Sequence, residues 1–87
     1  MAWVYILQEE NDGRYYIGCT SNLNRRLYQH QTGHTKTTNR FNHPILVLSQ
    51  EYETLEMAQK IERKLKRLKR RDYINKMVEE GQIRIRL

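Results

Sequence analysis

Two apolar runs on either side of a short polar segment constrain this chain most strongly. Trp3-Val4-Tyr5-Ile6-Leu7 and Arg14-Tyr15-Tyr16-Ile17-Gly18 are rich in aromatic and β-branched residues, and Glu9-Glu10-Asn11-Asp12-Gly13 lies between them. Such side chains suit a pleated, packed surface. An Asp-Gly pair supplies the positive φ angles of a tight reversal, so the two runs are expected to form a β-hairpin. The first run is apolar throughout rather than alternating, the pattern of a strand covered on both faces.

The covering elements follow in order. Thr20, Ser21 and Asn22 are N-cap residues, Leu23, Leu27 and His30 recur at helical spacing, and Gly33 is placed to end the helix, predicted over roughly 22–32. Residues 32–43 are polar and read as a loop; Pro44 leads into a third strand, Ile45-Leu46-Val47-Leu48. A second helix opens near Thr54 and carries Leu55, Ala58, Ile61, Leu65 and Leu68 on one stripe to about Arg70. Residues 72–80 suit a short third helix ended by Gly81, and the tail 82–87 alternates, as an edge strand or a loose end would. The order ββαβα(α) describes one α/β domain over residues 1–87: a small three-stranded antiparallel sheet flanked by helices.

With 87 residues there is room for a single core, and 38% apolar against 30% charged residues makes that core thin. The net charge of +6 favours polyanionic partners, nucleic acid first. No apolar stretch approaches the roughly 20 residues that span a bilayer, and the start lacks the pattern of a secretory signal, so a cytoplasmic protein without membrane attachment is expected. Cys19 is the only cysteine. It excludes an internal disulfide and a cysteine-rich zinc site, and reads as a small buried hydrophobe.

Three residues depart from their surroundings. At ~100° per residue Arg26 shares the inward arc of Leu23, Leu27 and His30, where a guanidinium requires an anion, either a carboxylate of the fold or a substrate phosphate. Between Lys60 and Arg71 eight residues are Lys or Arg and one is acidic. That acid, Glu62, falls in angle between Leu55 and Ala58 on the apolar stripe. It reads either as an i,i+4 partner of Lys66 or as a carboxylate ligand for a hard divalent cation. Lys60, Lys64 and Arg71 are spaced to form a basic stripe, a solvated face or a phosphate track. Tyr5 and Tyr16 lie on the paired strands, where an aromatic ordinarily packs.

Taken in order, Val4-Tyr5-Ile6-Leu7, Tyr16-Ile17-Gly18, Asn24-Arg25-Arg26-Leu27-Tyr28-Gln29-His30 and Glu62 resemble the motifs of the GIY-YIG nuclease superfamily over nearly the whole chain. The likeness is closest to its short stand-alone bacterial members. It extends to the incision domain of the excision-repair endonuclease and the catalytic domain of intron homing endonucleases. The second motif matches letter for letter; in the first, Trp3 and Val4 stand for glycine and isoleucine. The resemblance implies a divalent-metal-dependent DNA endonuclease in which Glu62 binds one Mg or Mn ion and Arg26 steadies the scissile phosphate. Tyr5 and Tyr16 line the site, with Tyr5 favoured as the base, and His30 orients water or a tyrosine hydroxyl. The implied products are a 5′-phosphate and a 3′-hydroxyl.

Two departures matter. Cys19 stands where some relatives carry lysine, and Asn75 is only loosely placed as the asparagine that often follows the metal-binding acid. Larger relatives append a DNA-binding domain, so affinity here is expected from Lys60, Lys64 and Arg71 or from a protein partner. The competing reading is a DNA-binding or adaptor module that keeps the fold and barely cuts. A pure binding module has no need for an acid inside a basic helix, whereas an RNA-binding sheet would interleave exposed aromatics with its cations.

Overall fold

The computed structural model describes residues 1–31 and 44–86; the expected end of the first helix at Gly33 and the polar loop through Asn42 lie outside them. The elements run β1 (Ala2–Glu9), β2 (Tyr15–Thr20), α1 (Leu23–Gln31), β3 (Pro44–Tyr52), α2 (Leu55–Leu68) and α3 (Arg71–Glu80). The three strands form one antiparallel sheet in the order β2-β1-β3. β1 is therefore central, and its unbroken apolar run is explained: Val4 and Ile6 point to one face, Tyr5 and Leu7 to the other, and all four are buried. The third strand is longer than expected. Ser49 to Tyr52 continue its pairing with β1, with a register shift opposite Ile6 and Leu7.

The turn joining β1 and β2 differs from the expected tight reversal. Only Gly13 has positive φ, at 77°, and its N–H donates to the Glu9 carbonyl at 2.8 Å. The connection is thus a single helical turn closed by a left-handed glycine, because six residues separate the last strand pair, Gln8 and Tyr15, and a two-residue turn has no room for them. At the other helix starts the sequence signals hold. The Asn22 side chain accepts from the Arg25 N–H at 3.1 Å, and Thr54 caps α2 by accepting from the Met57 N–H at 3.1 Å.

The core lies on the Val4–Ile6 face, where Ala58, Ile61 and Leu65 of α2 and Ile74 and Met77 of α3 meet the sheet. Leu55 was expected on this stripe but is 41% exposed, since it lies in the first turn of α2, beyond the packed part of the helix. The tail is neither a strand nor loose over its described residues. Ile83 is buried in the core, and its N–H donates to Gln50 Oε1 at 2.8 Å. Among the described residues no helix is long and apolar enough to cross a membrane.

Candidate active site

The second face of the sheet carries the tyrosines. Tyr5 pairs with Gly18 across β1 and β2, and Leu7 with Tyr16, so Tyr5 and Tyr16 are diagonal neighbours on one face with ring centroids 6.3 Å apart. α1 lies over that face and brings His30 to both rings, at 5.5 Å from Tyr5 and 5.0 Å from Tyr16. The Tyr5 hydroxyl and His30 Nε2 are 2.8 Å apart, and Arg26 Nε donates to the same hydroxyl at 3.3 Å. The Tyr5 oxygen accepts from Arg26 and shares a second hydrogen bond with His30, whose direction follows the imidazole tautomer, so the three groups form one connected chain. Arg26 also donates to Gln29 Oε1 at 3.3 Å.

Burial sets the protonation of this chain. Tyr5 is fully buried, and desolvation pushes its pKa up to about 12, outweighing the hydrogen bond from Arg26, which acts the other way. His30 is pushed down to about 4, first by burial and then by the Arg26 charge, so it is neutral at physiological pH. The hydrogen bond to the Tyr5 oxygen favours the charged form of Arg26.

Gly18 is the part of the site whose role spacing alone does not reveal. A Cβ there would lie 2.5 Å from the Tyr5 hydroxyl oxygen and 2.6 Å from Cζ. The glycine leaves the hollow into which the Tyr5 ring leans from the neighbouring strand. Its signal in the sequence was a glycine inside a strand pattern, which marks close approach by another group.

Glu62 comes from α2, on the opposite side of the sheet. Its side chain is only 19% exposed, as the inward angle required, and it is 3.7 Å from Lys66 Nζ, the i,i+4 pair. Its charge bears on Tyr5 and, more directly, on Cys19, whose thiol burial and then Glu62 push up to about 11. Cys19 is half-buried rather than a core residue. The charges of Arg26, from one layer, and Glu62, from the other, both bear on Tyr5 and on Cys19. Among the described residues no three His, Cys, Asp or Glu side chains converge as a metal cluster. A lone carboxylate nevertheless suits magnesium, which keeps most of its waters and takes one or two carboxylates together with substrate phosphates.

The expected basic stripe divides in two. Lys60 and Lys64 join Arg63 and Arg67 around a groove on the solvent side of α2, where Lys64 Nζ donates to the Arg86 carbonyl at 2.7 Å. Arg71 lies elsewhere, with Tyr16 and Lys66 along a groove of about 560 Å³ at the β2 edge. The break arises because α2 ends at Lys69 and the chain turns before α3, so helical spacing does not carry through to residue 71. Asn75 accepts a hydrogen bond from the Tyr15 hydroxyl, tying α3 to β2.

Comparison with known proteins bears on the family and the fold. A model of the GIY-YIG catalytic domain matches residues 1–77. A UPF0213 protein of Streptococcus pneumoniae serotype 4 is 40% identical over 70 residues, 79% of this chain and 70% of the relative. Its counterpart in strain R6 is 39% identical over the same shares. The solution NMR structure of a UPF0213 protein from Bacillus halodurans is similar with a TM-score of 0.57 at 32% identity, covering 93% of this chain and 87% of that one.

Proposed function

Because the chain belongs to the GIY-YIG family of catalytic domains, within the group formed by its UPF0213 relatives, we propose that it is a divalent-metal-dependent DNA endonuclease. It hydrolyses phosphodiester bonds by water attack and selects DNA by structure rather than sequence. The observation that carries this reading is the hydrogen-bonded chain Arg26, Tyr5 and His30, with the half-buried Glu62 near enough for its charge to bear on Tyr5.

Arg26 is held charged by Tyr5 and steadied by Gln29, and its guanidinium offers further N–H donors to the non-bridging oxygens of the scissile phosphate, where negative charge grows as water adds. Glu62 would hold the cation, which when bound supplies further positive charge at the phosphate and assists the departing 3′ oxygen. Phosphorus gains the water oxygen and loses the 3′ oxygen, leaving a 5′-phosphate and a 3′-hydroxyl. In this reading the base is not Tyr5, the tyrosine that the resemblance favoured. A buried phenol with a pKa of about 12, its oxygen already hydrogen-bonded to both Arg26 and His30, is poorly placed to meet water. Tyr16 lines the open groove, and we assign it to the attacking water, with Tyr5 and His30 holding Arg26 in position.

Selection by structure is supported by the basic groove of Lys60, Arg63, Lys64 and Arg67, since cations of this kind hold the phosphate backbone without reading bases. The test is a cleavage screen over duplex, nicked, flapped, branched and single-stranded DNA with magnesium or manganese, using Glu62→Gln as control. Cleavage of a subset of these by the native chain alone is expected. DNA that is bound but uncut under every condition would make the protein a binding or adaptor module.

A further inference from the structure

The groove along β2 ends at a residue in a conformation its type does not favour. Lys69 closes α2 at φ 50°, ψ 26° and is the one non-glycine residue at positive φ among those described. Helices ordinarily fill this position with glycine, because a Cβ is penalised there. Strain of this kind persists where the side chain has work that glycine cannot do.

The neighbouring cations are already engaged. Arg71 Nη2 donates to the Gly13 carbonyl at 2.7 Å, and its guanidinium lies 5.2 Å from the centre of the Tyr15 ring. Arg70 pairs with Asp72 at 3.0 Å, and Lys66 is 3.7 Å from Glu62. The Lys69 side chain has no hydrogen bond or ion pair to the described residues. It lines the groove with Tyr15, Ile17 and Ile74, an apolar floor under a cationic rim. Tyr16 borders the same groove and also touches the His30 ring, so groove and cleavage centre are continuous.

We infer that this groove is a second subsite for the cleaved strand, receiving the sugar-phosphate unit next to the scissile phosphate, with Lys69 on that flanking phosphate. The charge of the rim matches the backbone, the apolar floor matches the faces of the sugar, and the shared Tyr16 sets the adjacency. The inference rests on the nuclease reading only for which strand is held; the groove's affinity for a phosphate backbone stands apart from cleavage.

Two variants separate strain from contact: Lys69→Gln removes the charge and keeps the strained conformation, whereas Lys69→Gly removes both. In thermal melting Lys69→Gly is expected to unfold about 4–8 °C above the native chain, the shift that relief of about one strained position gives in a domain of this size. Single-turnover cleavage is then measured on DNA in which each phosphate near the cut is replaced, one at a time, by a neutral methylphosphonate. For the native chain one flanking replacement should slow cleavage about tenfold or more, the value of one charged contact. Both variants should lose that penalty at that position alone. Equal penalties at every position, unchanged by the variants, would reduce Lys69 to a diffuse charge and overturn the inference. If the native chain cuts no DNA, binding in the absence of divalent cation decides. A slope of log affinity against log salt shallower by about 1 in Lys69→Gln supports the groove while the nuclease reading falls, and an unchanged slope overturns it.

Discussion

Replacing Gly18 by alanine tests the geometry of the site more directly than any loss of a polar group. The added Cβ would lie 2.5 Å from the Tyr5 oxygen and 2.6 Å from Cζ, whereas carbon atoms in ordinary contact stand about 3.5 Å or more apart. The Tyr5 ring must therefore retreat by about 1 Å, and it is fully buried, with no open space to take it. Overpacking of this kind costs about 1–3 kcal/mol. Displacement also stretches the 2.8 Å bond to His30, worth about 1 kcal/mol net. The sum, roughly 2–4 kcal/mol, corresponds to a fall of at least about 8 °C in Tm at the 4–8 °C per kcal/mol typical of a domain this size. The assay is thermal unfolding of Gly18→Ala in two backgrounds, native and Tyr5→Ala. In the second the struck atoms are gone, so the added methyl should cost little, and the two substitutions should be strongly non-additive. An equal loss of Tm in both backgrounds would refute the argument that Gly18 is there for Tyr5.

Other outcomes follow from the same geometry. Glu62→Gln should keep the fold and its melting temperature yet abolish metal-dependent cleavage, since the amide is nearly isosteric and lacks the anionic charge; unchanged turnover would remove Glu62 from the site. Arg26→Ala should lower the cleavage rate by orders of magnitude while weakening DNA binding only slightly, as judged by parallel rate and binding titrations, and equal losses would make it a docking residue. His30 has its pKa lowered to about 4 in the fold against the ordinary 6.5, so between those values the unfolded chain binds more protons than the native one. Stability should therefore fall as pH drops from about 6.5 toward 4, and a melting series over that range should lose part of its slope in His30→Gln. Binding to duplex DNA should be steeply salt-dependent, with a slope of about −3 to −4.5 for 3–5 phosphate contacts. Neutralising Lys60, Lys64 and Arg71 together should flatten it equally on unrelated sequences, and a strong sequence preference surviving that change would contradict backbone recognition.

The amino-acid sequence by itself determined the elements and their order, because those rest on local causes. Alternating and continuous apolar runs, the caps Asn22 and Thr54, and the glycines at 13 and 81 each act within a few residues of chain. The helical angle also determined that Arg26, His30 and Glu62 point inward, a property of one helix at a time. What lay beyond that reach needed the fold. Whether Lys60 and Arg71 share a face depends on the reversal at Lys69, and helical spacing has no meaning across it. The tail showed only an alternating pattern, and its anchoring by Ile83 depends on Gln50 arriving from a strand 33 residues earlier. In the sequence Tyr5 and Tyr16 both lie on paired strands, and the resemblance favours Tyr5 as the base. Only the pairing of β1 at the centre and β2 at the edge buried the first, left the second on an open groove, and gave Gly18 its reason to lack a side chain. Burial is decided by every element that packs around a residue, and no local stretch of sequence contains that sum.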